Sequence, residues 1–369
     1  MNRLLSALFA LVISLPLAAT IAGVGRVDAG AENRELAPFP RYDGTFESIA
    51  RYGNQFGHWF DDHFGFRSTL VRWYGEMRLF VLGTPPSPAV VQGRDGWFYY
   101  GEDGSIEDYA RAEPLTPAAL DNWRDTIVRT RDWLHGRGIA YVFFIAPDKY
   151  VLYPEFMPST IRRVGPTSRT DQLYGRIHDV GSIVDVRPPL VAAKKVERIY
   201  HQTDTHWNDR GAFAAYQAII AAVRTRSPAT QPAWTRDDFE AEANETEGMD
   251  LAGMMGLTRV MREIDLALVP KRPRHARVVE PAGADAMAQE GRLVTEIPGS
   301  SQPRAVIFRD SFVSRLVPFL SEHFSRAVYL WQNDFDADVI QEEHPDVVIQ
   351  EIVGRHIYTF IPTPTLIPN

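Results

Sequence analysis

Residues 304–312 read RAVIFRDSF. The apolar run at 305–308 is typical of a strand that is buried on both faces of a sheet. The polar tripeptide Arg309-Asp310-Ser311 ends this run, and a helical pattern follows. The sequence therefore predicts that Ser311 lies at the carboxyl end of a parallel strand and near a helix N-terminus. Ligands bind at such edges of open α/β sheets, and backbone N–H groups there can stabilise an oxyanion.

The alternation of helix and strand continues on both sides of this stretch. Apolar residues recur on one helical face between Thr116 and Gly136, and the apolar run Ile139–Ala146 follows as a strand. Further predicted strands are Ile183–Val186, Ala305–Phe308, Ala327–Trp331 and Val347–Glu351. Further predicted helices are Asp209–Val223, Phe312–His323 and Asp336–Glu343. We therefore expect an α/β domain over residues 86–369, with a mainly parallel sheet and helices on both faces. Residues from about 226 to 303 fit this pattern poorly and are interpreted as an insertion.

The N-terminal segment is apolar and predicts export. The stretch from Leu4 to Gly25 contains no charged residue, and its 22 residues exceed the roughly 20 that span a bilayer. We interpret residues 1–25 as a signal anchor, although Pro16 and nearby alanines also fit a cleaved signal peptide. Because Arg3 precedes the span, the chain after it is expected outside the cytoplasm. Residues 26–85 are expected to form a linker followed by a short helical region.

Composition excludes several classes of protein. The 369-residue chain carries a formal net charge of −8, which argues against nucleic-acid binding because that function requires a basic surface. The chain has no cysteine, so disulfides and thiolate chemistry are excluded. Its hydrophobic content of 45% is that of a globular protein.

A second polar segment supplies possible partners for Ser311. Residues 200–208 read YHQTDTHWN and directly precede the predicted helix Asp209–Val223, for which Asn208 is a natural N-cap. In an extended segment Asp204 and His206 point to the same side, so the carboxylate could brace the imidazole. Taken alone, an Asp-x-His pair is more often an ordinary loop. His201, Asp204 and His206 could instead be metal ligands, but neither a His-Glu-x-x-His helix nor a further ligand at a typical spacing supports that alternative.

Several pieces of the chain resemble the AlgJ/AlgX-type alginate O-acetyltransferases, whose catalytic domain is SGNH-hydrolase-like. The matching pieces are Asp62–Arg67, Gly93–Trp97, Lys149–Glu155, Asp204–Trp207, Gly248–Ala252 and Asp310–Phe312. The resemblance implies a three-layer SGNH-hydrolase-like domain and a catalytic triad of Ser311, His206 and Asp204. Arg309 stands where glycine is frequent in the Gly-Asp-Ser turns of this fold.

The resemblance also implies a function and its partners. It predicts an O-acetyltransferase that modifies an exported polysaccharide without a cofactor or a metal. The acetyl group would come from a multi-pass membrane acyltransferase, and the chain would be anchored in a bacterial inner membrane and face the periplasm. An acetylesterase and a non-catalytic polysaccharide-binding scaffold remain alternatives.

Other polar residues are weaker candidates for binding substrate. Lys149 and Tyr150 follow the strand that ends at Ala146, and Arg309 precedes the predicted nucleophile, so all three are expected near the same cleft. The basic run Lys271–Arg277 could hold an anionic polymer, although such runs are more often solvated loops.

Overall fold

The computed structural model of the protein describes residues 2–22, 36–280 and 291–362. These residues divide into two compact units. The first unit contains the chain up to Gln92 together with Thr246–Glu263, and the second contains Gly93–Glu245 together with the chain from Ile264 onward. Residues 26–35 of the expected linker and residues 281–290 of the expected insertion lie outside the described ranges.

The strands, in chain order, are β1 Val90–Gln92, β2 Phe98–Tyr100, β3 Ala140–Ala146, β4 Ile183–Val184, β5 Phe239–Glu247, β6 Arg262–Pro270, β7 Arg277–Glu280, β8 Arg292–Glu296, β9 Arg304–Arg309, β10 Arg326–Trp331 and β11 Val347–Val353. The α-helices are α1 Asn2–Ala22, α2 Phe46–His63, α3 Arg67–Glu76, α4 Ser105–Ala110, α5 Pro117–His135, α6 Lys149–Leu152, α7 Arg169–Ile177, α8 Arg187–Lys194, α9 Asp209–Arg226, α10 Asp250–Met254, α11 Val317–Leu320, α12 Ala337–Glu343 and α13 His356–Thr359.

The second unit is built on a seven-stranded sheet with the strand order β4-β3-β11-β9-β10-β8-β7. The first five of these strands are parallel. The last two, β8 and β7, join antiparallel, so the predicted mainly parallel sheet is confirmed only in part. Both antiparallel strands come from the stretch between 226 and 303. The candidate nucleophile follows β9, which lies in the middle of the sheet.

Helices cover both faces of the sheet, because the central strands carry apolar side chains on both faces. Tyr141, Phe143 and Ile145 of β3 point to one face, where they join a core with apolar residues of α5 and α7. On the alternate side Val142 and Phe144 are fully buried, and α9 contacts this strand. The second unit therefore has the layers helix, sheet and helix.

The first unit is helical. Thr45 caps α2 by accepting a hydrogen bond from the Ser48 backbone N–H, and α3 continues into a π-helical turn at Met77–Val81. Among the described residues, the segment Arg3–Ala22 is long and apolar enough to cross a membrane, with a mean hydropathy of 2.3. By length and composition it is a candidate membrane span, as the sequence predicted.

Candidate active site

The loop before α9 and the turn after β9 bring three polar side chains together. His206 Nδ1 lies 2.6 Å from Asp204 Oδ1, and His206 Nε2 lies 2.8 Å from Ser311 Oγ. The same Oδ1 also accepts the backbone N–H of His206 at 2.9 Å. The side chains of His206 and Asp204 are 21% and 15% exposed, so the group is accessible from solvent. With a proton on Nδ1, the unprotonated Nε2 can accept the hydroxyl proton of Ser311.

Electrostatics keep Asp204 ionised. Burial on its own would raise the pKa of Asp204. The attraction of His206 and the hydrogen bonds from it outweigh burial and hold this pKa below the ordinary value of 3.8. At neutral pH the site therefore contains a carboxylate that can stabilise a positively charged imidazole.

Asp310 fixes the turn that presents Ser311. This residue is the N-cap of the 3-10 helix Ser311–Arg315, and its Oδ1 accepts the Phe312 N–H at 2.9 Å. Its Oδ2 accepts the Val353 N–H at 2.7 Å, which ties the turn to the end of β11. Both carboxylate oxygens are thus used to hold backbone. Arg309, which stands where glycine is frequent in Gly-Asp-Ser turns, is the last residue of β9.

Glu351 supports the same turn from below. It is fully buried in β11, and its Oε2 accepts the Asp310 N–H at 2.9 Å. Burial raises the pKa of Glu351 well above its ordinary value, and the negative charge of Asp310 raises it further. Glu351 was not among the residues predicted from the sequence to belong to the site. Its signal was a charged side chain inside the apolar run Val347–Val353.

A hydrogen bond between Trp207 and Phe312 holds the two segments of the site together. The indole N–H of Trp207 donates to the carbonyl oxygen of Phe312 at 3.0 Å, and the two rings meet edge to face at 5.2 Å. Trp207 and Phe312 are both fully buried. Because they directly follow His206 and Ser311, this bond restrains the distance between the imidazole and the hydroxyl.

The start of α9 is fixed by the predicted cap. Asn208 Oδ1 accepts the backbone N–H groups of Arg210 at 3.0 Å and Gly211 at 3.2 Å. Its amide nitrogen donates to the Arg198 carbonyl at 2.8 Å. The loop carrying Asp204 is therefore bonded to the helix that follows it and to the segment that precedes it.

Lys149 lies near the site, but its side chain is only 3% exposed. Its Nζ donates to the backbone carbonyls of His201, Gln202 and Asp204 at 3.0, 3.1 and 2.6 Å. An ammonium group with three such bonds is directed at the loop rather than at a ligand. We therefore correct the expectation that Lys149 contacts substrate: its contacts are those of a residue that positions the Asp204 loop.

The other two expected substrate contacts are also buried. The hydroxyl of Tyr150 donates to Asp108 Oδ2 at 2.9 Å, and only 4% of the residue is exposed. Arg309 is fully buried, and its Nη1 donates to Ser314 Oγ at 2.8 Å. These side chains point into the protein, so we also withdraw direct substrate contact for Tyr150 and Arg309.

The alternative metal site has little support in this geometry. Both ring nitrogens of His206 are engaged, one with Asp204 and the other with Ser311. His201 is fully buried, and its Nε2 lies 3.7 Å from Asp265 Oδ1. An ion held by Asp204 and His206 together would have to replace the proton between Oδ1 and Nδ1, which lie 2.6 Å apart.

The basic run Lys271–Arg277 is partly held by the protein itself. The guanidinium of Arg272 stacks 4.1 Å above the ring of Trp234. His275 Nδ1 lies 3.0 Å from a carboxylate oxygen of the buried Glu322. The run is therefore a surface segment that is anchored by Trp234 and Glu322.

The chain matches a known protein family over more than half of its length. The family described as "SGNH hydrolase-like domain, acetyltransferase AlgX" matches residues 90–349, which is more than half of the sequence. The chain belongs to this ALGX family. The resemblance and the SGNH hydrolase-like fold predicted from the sequence are therefore confirmed.

Curated relatives of this ALGX-family chain are named "Probable alginate O-acetylase AlgJ". The chain is 28% identical to the Pseudomonas aeruginosa protein over 317 residues, covering 81% of this chain and 75% of the relative. It is 27% identical to the Pseudomonas syringae pv. tomato protein over 256 residues, covering 66% and 61%. The chain thus matches about three fifths of the length of the latter relative.

A solved structure shares the fold of this ALGX-family chain. Bacillus cereus PatB1 with a sulfonyl adduct aligns with a TM-score of 0.54 and 14% identity. The alignment covers 73% of this chain and 95% of PatB1. At this level of identity the match supports the architecture of the sheet and its helices.

Proposed function

We propose that the protein is a serine-dependent O-acetyltransferase in which Ser311, His206 and Asp204 form the catalytic triad. The observation that carries this proposal is the pair of contacts at His206, 2.8 Å to Ser311 Oγ and 2.6 Å to Asp204 Oδ1. A nucleophile, a base and a group that orients the base are the parts that acyl transfer requires. Membership of the ALGX family supports the same chemistry.

In the first half-reaction Ser311 Oγ attacks the carbonyl carbon of an acetyl donor, and its proton passes to His206 Nε2. The resulting imidazolium is stabilised by the carboxylate of Asp204. When the bond to the leaving group breaks, His206 returns the proton to that group. The product is an acetyl ester on Ser311.

In the second half-reaction a hydroxyl of the acceptor attacks the acetyl ester. His206 Nε2 takes the hydroxyl proton and then gives it to Ser311 Oγ as the ester bond to the enzyme breaks. If water were the acceptor, the same sequence would be ester hydrolysis. The acceptor therefore decides between an acetyltransferase and an acetylesterase.

The acceptor we propose is a hydroxyl of an exported polysaccharide. The curated relatives named as alginate O-acetylases make alginate the first polymer to test. Residues 86–369 would form the catalytic domain, with residues 26–85 connecting it to the anchor.

We further propose that α1 anchors the chain in a bacterial inner membrane with the catalytic domain in the periplasm. Acetyl-coenzyme A is not directly accessible there, and one helix cannot carry an acyl group across a bilayer. A separate multi-pass membrane acyltransferase would therefore supply the acetyl group. Tethering both proteins in one membrane raises the effective concentration of donor near Ser311.

The test uses p-nitrophenyl acetate as a surrogate donor, with and without deacetylated alginate oligomers. We expect a burst of p-nitrophenol, an acetyl group on Ser311 in a trapped peptide, and acetylated oligomers. The Ser311→Ala variant should show none of these. Release of acetate with no transfer to any tested oligomer would favour the esterase, and a folded protein with no acetyl-enzyme would favour the scaffold.

A further inference from the structure

One face of the first unit carries an exposed apolar stripe. Its residues lie on α3 and the π-helical turn Met77–Val81, at spacings of three and four that place them on one helical side. The stripe consists of Leu70, Trp73, Tyr74, Met77, Phe80 and Val81, which are between 43% and 77% exposed. A stripe of this size on one side of a helix is typical of a surface that meets an apolar environment.

The opposite side of the same helix is already packed. Gly75 is buried, and a Cβ at this position would lie 3.0 Å from Leu257 Cδ2. Leu79, one turn further on, is only 4% exposed. The helix therefore gains its folding contacts on the Gly75 side, and folding of this unit does not account for the stripe.

The stripe begins close to the end of the candidate membrane span. The backbone N–H of Gly65, in the turn before α3, donates to Thr20 Oγ1 at 2.7 Å. Gly65 also lies so close to Ala19 that a side chain at this position would collide with it. Thr20 precedes the last residue of the span, Ala22, by two positions, or about 3 Å along a helix. The turn before α3 is therefore level with the membrane surface when α1 spans the bilayer.

The residue types of the stripe are those found at the membrane surface. Tryptophan and tyrosine concentrate at the boundary between acyl chains and headgroups, where their apolar rings and polar groups are both accommodated. An amphipathic helix with arginines beside such a face lies in the plane of this boundary. Arg72 lies on α3, and Arg78 lies on the π-helical turn that continues it. Lipid is the material that occupies this level around the end of α1.

We propose that the stripe is a membrane-docking surface that inserts into the outer headgroup region of the bilayer crossed by α1. This inference rests on the membrane anchoring that forms part of the proposed function, and it is independent of the acetyl-transfer chemistry. Docking would hold α3 flat on the membrane, in addition to the tether provided by α1.

The absence of cysteine from the sequence allows a direct test with the full chain. Single nitroxide labels are attached at Val81→Cys in the stripe, Ile13→Cys in α1 and Val196→Cys in the second unit. These positions are 77%, 59% and 84% exposed, so labels there should leave the fold intact, as far-UV circular dichroism would verify. The protein is reconstituted in phosphatidylethanolamine and phosphatidylglycerol vesicles. Collisions of each label with oxygen, which partitions into lipid, are compared with collisions with a water-soluble nickel chelate.

We expect the ratio of oxygen to nickel collisions to be several-fold higher at positions 13 and 81 than at position 196. Adding Trp73→Ser and Phe80→Ser to the Val81→Cys chain should lower the ratio at 81 towards that at 196, without changing the ratio at 13. A water-like ratio at 81 beside a lipid-like ratio at 13 would refute docking while leaving the anchor intact. A water-like ratio at 13 would refute the anchor and docking together.

A protein partner would give a different pattern. The label at 81 would then read as aqueous in pure lipid vesicles and become shielded from both collision probes only in vesicles made from native membranes. That pattern would refute lipid docking and assign the stripe to a membrane protein.

Discussion

Replacing Asp204 with asparagine isolates the contribution of its charge to catalysis. Asp204 Oδ1 accepts from both Nδ1 and the backbone N–H of His206, at 2.6 and 2.9 Å. A backbone N–H can only donate, so the asparagine oxygen, rather than its NH₂ group, should occupy this position. The amide oxygen would then still accept from Nδ1, and the tautomer of His206 would be preserved. The loss is therefore that of the negative charge.

The size of that loss follows from Coulomb attraction to the imidazolium. Two opposite unit charges 4 Å apart attract by about 4 kcal/mol at an effective dielectric constant of about 20. Since about 1.4 kcal/mol corresponds to a tenfold change in rate, we expect acetylation of Ser311 to slow by about 10³-fold in Asp204→Asn. A variant with the wrong tautomer would lose about 10⁴-fold, as such changes do in serine proteases.

The assay is the pre-steady-state burst with p-nitrophenyl acetate, with unfolding curves to verify the fold. Asp171→Asn is the matched control, because it removes another carboxylate of the second unit, one paired with Arg187 at 2.6 Å and not with His206. We expect its burst rate to stay close to that of the unchanged protein. A folded Asp204→Asn protein within tenfold of the unchanged rate would contradict the role assigned to the charge.

Three further predictions concern the residues around the triad. Ser311→Ala and His206→Ala should each abolish most of the steady-state turnover of p-nitrophenyl acetate, and the double variant should lose little more than the worse single one, because a triad acts as a unit. An additive loss of turnover in the double variant would contradict this. Lys149→Met should leave buried carbonyl groups without a hydrogen-bond donor and destabilise the protein by about 3 kcal/mol in urea unfolding. It should also lower kcat more than it raises KM, because the displaced loop carries the carboxylate partner of His206. A raised KM with unchanged kcat would instead indicate substrate contact. The pKa of Glu351 is raised above its ordinary 4.5, so the folded chain holds an extra proton, and the contribution of this group to stability falls as pH rises above that value. Glu351→Gln should reduce this decline above about pH 5 in urea unfolding, and an unchanged pH dependence would count against a neutral Glu351.

The parts of the fold that follow from local patterns could be predicted from sequence. The helix expected between Thr116 and Gly136 extends over Pro117–His135, and the strand predicted at Ile139–Ala146 begins one residue later. The continuous helix expected at Phe312–His323 is instead a series of short helical turns. Pro318 lies within this segment and lacks the N–H that a continuous helix requires.

Features that depend on distant parts of the chain were harder to predict. Short strands such as β7 and β8 carry little periodicity. Their place in the sheet depends on the pairing of β8 with β10 and of β7 with β8. Asp204 and His206 lie together, but their segment is a bent loop in which Asp204 Oδ1 accepts the His206 N–H, so the alternation of an extended segment does not explain their proximity. Local patterns also could not show that Lys149 turns inward, because that depends on carbonyl groups more than fifty residues away.

The bond between Trp207 and Phe312 has a consequence for heat inactivation. It joins segments 105 residues apart and lies directly beside the contact between the imidazole and the hydroxyl. Separating base from nucleophile would therefore require a buried indole to lose its acceptor, and such an event belongs to unfolding of the whole domain rather than to local fraying. Enzymes whose reactive groups lie on loose loops lose activity well before they melt. In this protein, activity and tertiary structure should disappear over the same few degrees.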